Sequence, residues 1–206
     1  MRPPLIAAAL LLALSAPAWA QATAPATPPA ALRGTIERVA PDRESFDVKT
    51  RDGAEKTLRL AADAKVARVA AASLADVKPG VYVGVAAAPG EGGALKALEV
   101  HIFPELLRGV GDGHRPFDLA PGSTMTNGAV NARVDEVDGS KIVVAYNGGQ
   151  QTITVDKSTP IVAIEPGGLG DLTAGAAIVA RGGAGEDGSF EARSVGVGVA
   201  GVVPPM

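Results

Sequence analysis

A duplicated segment constrains the fold of this chain more than any other feature of its sequence. Residues 73–80, SLADVKPG, resemble residues 168–175, GLGDLTAG, at a shift of 95 positions. Earlier in the chain, Leu32 corresponds to Val130 at a shift of 98, and shorter loops in the second copy absorb the difference. The sequence therefore predicts two homologous structural units of about seventy residues each.

Each unit has the pattern of short β-strands, in which apolar and polar residues alternate over brief runs. The apolar positions of the first unit are Ile36, Val39, Phe46, Val48, Leu58, Leu60, Val66, Val69, Val81, Val83 and Val85. Asp52–Gly53 and Asn147–Gly148 stand at matching places between the second and third runs. Because Asn, Asp and Gly tolerate the backbone angles of two-residue hairpin turns, both pairs predict hairpins.

The Leu-x-Asp element before the fifth run predicts a single helical turn in each unit. We expect Leu74 and Leu169 to plug one end of a barrel, with Gly80 and Gly175 ending the turns.

Barrel closure follows from the shortness of the strands, since an open sheet of this size leaves unpaired edges. The predicted fold is all-β, with two tandem small OB-like β-barrels at 32–103 and 127–203 and an irregular bridge at 104–126 that contains one short helix. An immunoglobulin-like sandwich competes, but it would crowd seven strands into each unit and has no tryptophan or cysteine marker here. An outer-membrane barrel is disfavoured because aromatic girdles are missing.

Eight positions of the second unit carry a recognisable motif: Leu169, Asp171, Leu172, Gly175, Asp187, Gly188, Ala192 and Val195. With this motif, the chain resembles a family of secreted bacterial small-barrel domains of unknown function that often occur in tandem. The resemblance covers both units, although Val77 replaces the second leucine and Gly92–Gly93 replaces Asp–Gly in the first. It implies a fold and a location outside the cytoplasm, and no reaction.

Residues 1–20 have the pattern of a cleavable secretory signal. Arg2 provides positive charge, residues 5–14 are apolar, and small residues precede a cleavage site before Gln21. The apolar run is shorter than the roughly 20 residues of a membrane-spanning helix. Residues 21–31 are rich in proline and alanine and predict a flexible tether. We therefore expect a periplasmic or secreted protein without a membrane span.

The composition excludes several kinds of partner and chemistry. A net charge of -3 at pH 7 indicates no basic footprint for nucleic acid or for anionic lipid. The chain has no cysteine, so disulfides, thiol chemistry and lipoprotein attachment are excluded. Aromatic residues make up 3% of the chain, so stacking surfaces for bases or sugars are scarce.

The segment between the units interrupts the strand pattern. Pro104 at a first helical position, followed by Glu105 and then by Gly109 as a stop, predicts one short helix. The remainder has no period, and a connection of this length is usually functional or disordered. Its apolar residues argue against disorder. We therefore place the functional site in the bridge and its flanking residues.

Both histidines of the chain lie in this region. Imidazole and carboxylate ligands suit zinc, nickel or copper(II), and a thioether favours copper(I). The candidate metal ligands are His101, Glu105, His114, Asp118 and Met125. Their spacing matches no known metal motif, so a periplasmic protein that binds copper, zinc or nickel is the alternative function.

Apolar and arginine side chains of the same region favour docking of another protein, because interface centres are enriched in aromatic residues and arginine. The candidate partner-binding residues are Phe103, Leu106, Leu107, Arg108, Arg115 and Phe117. A structural role competes, in which these residues cap the barrels and an arginine pairs with Asp112 or Asp118.

No catalytic residues are predicted. No nucleophile elbow surrounds a serine, and the acidic residues lie mainly in turns rather than as a pair suited to glycoside cleavage. The glycine run at 109–113 lacks the third glycine of a dinucleotide-binding fingerprint, where His114 stands. The sequence therefore predicts a non-catalytic exported binding or assembly module, whose bridge docks another envelope protein and which needs no cofactor beyond the metal ion of the alternative.

Overall fold

The structure, a computed structural model, describes residues 30–90 and 94–205. This part of the chain consists of β-strands and short 3-10 turns, which confirms the all-β class. The strands are β1 (Ala30–Val39), β2 (Ser45–Thr50), β3 (Glu55–Ala71), β4 (Tyr82–Pro89), β5 (Leu95–Ile102), β6 (Gly113–Pro116), β7 (Thr124–Glu136), β8 (Gly139–Tyr146), β9 (Gly149–Asp156), β10 (Ile161–Pro166), β11 (Ala177–Ala184) and β12 (Phe190–Gly198). No helix within those ranges is long and apolar enough to cross a bilayer. The predicted secretory signal lies outside the described residues.

Five strands close into a barrel, termed the first ring: β1, β2, β3, β11 and β12. β1 pairs with β2 and β11, β2 pairs with β3, and β11 pairs with β12, all in antiparallel orientation. A parallel pairing of β12 with β3 completes the ring. Each of these strands thus has a neighbour on both sides, which removes the open edges of a small sheet.

The strands β4, β5, β7, β8 and β9 form a second ring of pairings. The pairs β5–β4, β4–β7, β7–β8 and β8–β9 are antiparallel. A short parallel pairing returns β9 to β5, where Leu95 faces Ile153 and Lys96 faces Thr154. β10 lies antiparallel to β3 and parallel to β5, so that one continuous sheet connects the rings.

Each ring encloses its own apolar core. The buried core of the first ring consists of Leu32, Ile36, Phe46, Val48, Leu58, Leu172, Ile178, Ala180, Ala192, Val195 and Val197. That of the second ring consists of Val77, Val83, Val85, Ala87, Ala97, Val100, Val130, Ile142, Val144, Ile153, Val155 and Ile161. Valine and isoleucine predominate because branched side chains pack well on a pleated surface.

The strands are divided between the rings differently from the prediction. The sequence predicts that each repeat, 32–103 and 127–203, closes on its own strands. The first ring instead takes β1–β3 from the first repeat and β11–β12 from the second, while the second ring takes β4–β5 and β7–β9. Each ring therefore combines strands from both predicted repeats.

The long strand β3 connects the first ring to the second. β3 runs for 17 residues, and only its earlier part pairs with β2. Residues 67–71 pair with residues 162–166 of β10, which are their own counterparts at the shift of 95. This antiparallel pairing relates the repeats by an approximate twofold axis, as in a symmetric dimer interface. β3 thereby carries the chain out of the first ring before β4 begins.

The two predicted hairpin turns differ in length. Asn147 and Gly148 connect β8 to β9, with Tyr146 facing Gly149, which confirms a two-residue hairpin. Gly148 has a φ of 100°, a region that glycine adopts without strain. The turn at Asp52–Gly53 is longer than predicted, because the last pair before it joins Lys49 of β2 to Glu55 of β3.

The predicted helical turns are present as 3-10 turns, Leu74–Asp76 and Leu169–Asp171. Of the two leucines predicted to plug the rings, Leu74 is partly buried and packs against the core of the second ring. Leu169 is 46% exposed, whereas Leu172 is 1% exposed and lies in the core of the first ring. Val77, the counterpart of Leu172, is buried in the core of the second ring. The residue that follows each turn is therefore fully buried, and in the second ring Leu74 packs against the same core.

The bridge is more regular than predicted. Glu105–Leu107 forms a 3-10 turn where the short helix is predicted, and β6 forms an antiparallel pair with β7. Because β7 begins at Thr124, the last residues assigned to the bridge belong to a strand. The predicted tether is also too long, since Ala30 and Ala31 pair with β11.

Candidate functional site

Polar side chains of β5 face the space between the two rings. This space, termed the junction, is lined by His101, Phe103 and Arg181. Val100 lies in the core of the second ring, and its neighbours Glu99 and His101 point to the opposite side because side chains alternate along a strand. Both Glu99 and His101 are 1% exposed. Ionisable groups are rarely this buried unless they are paired, so their surroundings determine what this face can do.

Small residues of β4 lie opposite these two side chains. Gly84 faces His101, and Ala86 faces Glu99. On the other side of β4, Asn127 of β7 faces Gly84. A β-carbon at position 84 would lie 2.9 Å from Oδ1 of Asn127, so a larger residue does not fit without displacement.

Three buried polar atoms of this face have no hydrogen-bonding partner among the described residues: Glu99 Oε1, His101 Nε2 and Asn127 Oδ1. Glu99 Oε1 and His101 Nε2 are 3.2 Å apart, but the two groups are not aligned for a hydrogen bond. Asn127 Nδ2 donates to the carbonyl oxygen of Val110 at 3.1 Å, which anchors the amide. An unpartnered buried polar group costs about 1–3 kcal/mol. Such groups are therefore expected where a ligand or water completes the site.

The second repeat presents a different surface to the same junction. The counterparts of Glu99, His101 and Ala86 at the shift of 95 are Ser194, Gly196 and Arg181. Arg181 pairs with Ser194 as Ala86 pairs with Glu99, so the backbone arrangement is repeated. The side chains break the symmetry. In the first repeat the bulky groups, Glu99 and His101, lie on β5. In the second repeat Arg181 lies on β11, and β12 carries the small residues Ser194 and Gly196.

Two cavities occupy the junction and share His101, Phe103 and Arg181. The larger has a volume of about 720 Å³, and the smaller has a volume of about 400 Å³. The larger is also lined by Arg115, Pro116, Phe117, Asp118, Met125 and Asn127. The smaller is mainly apolar, with Val69, Leu107, Val162, Ile164 and Val179 in its walls. Both volumes fall in the range of roughly 300–1,000 Å³ that is usual for small-molecule sites.

Arginine side chains gather beside the larger cavity. Arg115 and Arg181 line it, and Arg33 of the neighbouring strand β1 lies on the same face of the sheet as Arg181. The guanidinium of Arg181 stands 5.6 Å from the ring centroid of Phe117. Nη2 of Arg33 lies 3.8 Å from Oδ1 of Asp118, too far for a hydrogen bond, and Nε and Nη2 of Arg33 have no hydrogen-bonding partner in the described part of the chain.

The electrostatics of Arg181 reflect this crowding. Burial is the main cause that lowers the pKa of its guanidinium. The charge of Asp118 opposes that shift, and the positive charges of Arg33 and Arg115 add to it. Glu99 also acts to raise the pKa. Two carboxylates and two guanidinium groups therefore act on Arg181 in opposite directions.

The five predicted metal ligands do not form one site. Those that line the larger cavity are His101, Asp118 and Met125. Nδ1 of His114 is 2.8 Å from Oγ1 of Thr126, and Glu105 forms an ion pair with Arg108. Across residues 30–90 and 94–205, no three histidine, aspartate or glutamate side chains are placed to hold a metal ion together. Pairing of β6 with β7 holds His114 beside Thr126, away from this set, and corrects the predicted ligand cluster.

The predicted docking residues also separate into two groups. Phe103, Leu107, Arg115 and Phe117 line the cavities. Arg108 donates to the carbonyl oxygen of Gly80 at 2.9 Å and pairs with Glu105. Leu106 is 84% exposed. Most of the apolar side chains predicted to meet a partner thus face into the protein.

Four polar residues of the junction are missing from the sequence prediction: Arg33, Glu99, Asn127 and Arg181. For Glu99 the signal is its position two residues before His101 in a strand, which places both on one face. For Arg181 the signal is the repeat alignment, in which a charged residue stands where the first repeat has Ala86. Arg33 and Asn127 carry no such signal, because only the pairing of strands from both repeats brings them to the junction.

The fold and site together define an all-β protein with a closed five-stranded barrel and a partly polar cavity beside it. Comparison with known protein families, curated proteins and solved structures found no match for the chain. Its function is therefore inferred from the residues of the junction.

Proposed function

We propose that this protein is a non-catalytic, exported binding module that holds a small molecule between its two rings. The observation that carries the proposal is the pair of cavities that share His101, Phe103 and Arg181. Their walls combine apolar side chains with a few convergent polar groups, which is the usual composition of a ligand site. The bridge, predicted as a docking surface, supplies Leu107 and Phe117 to these walls.

We also infer that the chain is a duplicated OB-like unit whose copies exchange their last two strands. Support comes from the order of pairings, which is the same in both rings. In the first ring, β1, β2 and β3 are antiparallel, β3 pairs in parallel with β12, and β12 returns to β1 through β11. In the second ring, β7, β8 and β9 are antiparallel, β9 pairs in parallel with β5, and β5 returns to β7 through β4. A five-stranded barrel of this kind is typical of the OB fold. Exchange places the outer faces of the two barrels against each other and so creates the junction.

Dye binding tests the proposed cavity. N-phenyl-1-naphthylamine is uncharged and fluoresces strongly when it enters an apolar site. Ala67→Phe fills the smaller cavity, whose wall includes Ala67, and Ala62→Phe adds the same side chain at an exposed position of β3. We expect the wild type and Ala62→Phe to bind the dye with micromolar affinity and Ala67→Phe to lose binding. Thermal unfolding by circular dichroism verifies that both variants fold, and dye binding that Ala67→Phe leaves unchanged would contradict the proposal.

Export is the second component of the proposal, and the pattern of residues 1–20 supports it. Expression of the full chain in a Gram-negative host is expected to give a product in the periplasm or medium whose mass begins at Gln21. A chain of full mass that stays in the cytoplasm would remove this component without affecting the cavity.

Docking of another envelope protein is a second candidate function. It is favoured by Leu106, which is 84% exposed, and by Val110, which is 51% exposed. Leu106→Ser should abolish a crosslink that the wild type forms in the envelope while leaving dye binding intact. A crosslinking pattern that Leu106→Ser does not alter would reject this candidate.

A further inference from the structure

We propose that the ligand of the junction is an uncharged, mainly apolar molecule that carries a hydroxyl group. The hydroxyl group binds Asn127 and His101 at the larger cavity, and the apolar part enters the smaller cavity. This inference deepens the proposed binding function and rests on it. Three features of the junction lead to it: its opposed charges, its unpartnered polar atoms and its apolar wall.

The charged side chains of the junction oppose a ligand charge of either sign. The carboxylates of Glu99 and Asp118 attract the guanidinium of Arg181, whereas the guanidinium of Arg115 repels it. An anion beside His101 would meet Glu99, whose Oε1 lies 3.2 Å from Nε2 of His101. A cation in the larger cavity would meet Arg115 and Arg181, which line it. Because burial of a charge without a matched partner is costly, the ligand is uncharged.

Two unpartnered atoms identify where the hydroxyl group of the ligand lies. Asn127 is 4% exposed and lines the larger cavity, and its Oδ1 has no hydrogen-bonding partner among the described residues. Because Nδ2 of the same amide donates to Val110, Oδ1 is the atom left to accept a hydrogen bond from a ligand. Nε2 of His101, which lies across Gly84 from Asn127, is also unpartnered in the described part of the chain. A hydroxyl group suits both atoms, because it donates to an oxygen and serves either tautomer of an imidazole as donor or acceptor.

The smaller cavity supplies an apolar wall for the rest of the ligand. Val69, Val162, Ile164 and Val179 line it. Gly196 keeps this wall open, because a β-carbon there would approach the Cγ atoms of Val179 and Val69 to 3.2 and 3.3 Å. Burial of apolar surface against these side chains is favourable. Since the two cavities share lining residues, a ligand whose hydroxyl group lies at the larger cavity places its apolar part against this wall.

Displacement of N-phenyl-1-naphthylamine by four single-chain probes tests the inference. The probes are 1-decanol, its isomer methyl nonyl ether, decanoate and decylammonium, each below its solubility limit or micelle concentration. The ether lacks the O–H donor of 1-decanol, and the two ions carry charges of opposite sign. We expect 1-decanol to bind about fivefold more tightly than the ether, which is the ratio that one neutral hydrogen bond contributes. Both ions should bind more weakly than 1-decanol.

Asparagine variants identify the atom that accepts the hydroxyl proton. Asn127→Leu removes Oδ1 and should reduce the preference for 1-decanol over the ether to about twofold or less, while the dye still binds. Asn131→Leu makes the same change at an exposed position of β7 and serves as the matched control, with the preference unchanged. Equal affinity of the wild type for 1-decanol and the ether, or tighter binding of either ion, would overturn the hydroxyl ligand but leave the proposed cavity. Failure of every probe and of the dye would overturn both.

Discussion

Val69 of β3 pairs in antiparallel register with Ile164 of β10, the residue that stands 95 positions later in the chain. A residue that pairs with its own repeat counterpart lies on an approximate twofold axis, because each repeat then makes the same contact to the other. The junction cavity is built around this axis, with both residues in its wall. The segments that contain β3 and β10 are therefore related by this approximate twofold axis within one chain.

The pairing of β3 with β10 at this axis could not be predicted from the sequence, although the elements that surround it could. The shift of 95 places the 3-10 turns Leu74–Asp76 and Leu169–Asp171 at matching positions. The Asn147–Gly148 hairpin was also predictable, because its turn depends on two residues with a known backbone preference. These features are local, so a short stretch of sequence determines each of them.

The exchange of strands escapes prediction because the repeats have the same apolar pattern. β4 and β11 occupy equivalent positions, and either strand would offer alternating apolar residues to β1. Nothing in an alternating pattern distinguishes a strand of the same repeat from its counterpart in the other. In the structure, residues 67–71 at the end of β3 pair with β10. A sequence that alternates through residues 55–71 does not reveal where a barrel ends.

The site was predictable only in part, since the rarity of histidine drew attention to His101 but not to its neighbours. Phe103, Arg115 and Phe117 were singled out as apolar or charged residues outside the strand pattern, and they line the cavity. Arg181 lies in a regular strand of the second repeat. It reaches the cavity because β11 pairs with β1 of the first repeat.

A mutation at Gly84 should destabilise the protein through overpacking. A β-carbon at this position would lie 2.9 Å from Cε2 of Phe103, so Gly84→Ala must displace that ring or the strand. Overpacking of this size costs about 1–3 kcal/mol. Gly168→Ala is the matched control, because a β-carbon there meets no atom within 4 Å. Urea unfolding should show a lower midpoint for Gly84→Ala alone, and equal midpoints for the two variants would contradict the packing at Phe103.

Truncation of the plug of the first ring should have a larger effect. Leu172 is 1% exposed within that core, so Leu172→Ala removes buried methyl groups and leaves a cavity. Replacement of a buried leucine by alanine costs about 2–5 kcal/mol. Leu169→Ala makes the same chemical change three residues earlier, where the side chain is partly exposed, and should cost much less. Thermal unfolding compares the stability of the two variants. A larger loss of stability for Leu169→Ala would support Leu169 as the plug, as the sequence predicts.

Paired cysteines should detect the exchange of strands. Thr35 of β1 faces Ala177 of β11, so Thr35→Cys with Ala177→Cys is expected to form a disulfide within one chain on mild oxidation. In an unexchanged arrangement Thr35 would face Tyr82, the counterpart of Ala177, and Thr35→Cys with Tyr82→Cys would crosslink instead. The chain has no other cysteine, so mass spectrometry identifies the bond without ambiguity. Crosslinking of the second pair but not the first would refute the exchange.

Acid should destabilise the protein through exposed carboxylates at its turns, of which Asp76 is an example. The Ser73 hydroxyl donates to Oδ2 of Asp76 at 2.7 Å and the Ser73 backbone N–H donates at 2.9 Å, and these bonds lower the pKa of that carboxyl. A carboxyl whose pKa is lower in the folded state stabilises the fold above the ordinary value of about 3.9, and this contribution is lost as the pH falls through the folded pKa. Asp76→Asn should therefore lower the urea midpoint at pH 7 and reduce its decline towards pH 3. Asp63→Asn removes an exposed charge from β3 as the control, and a decline that is the same in both variants would assign the acid sensitivity to other groups.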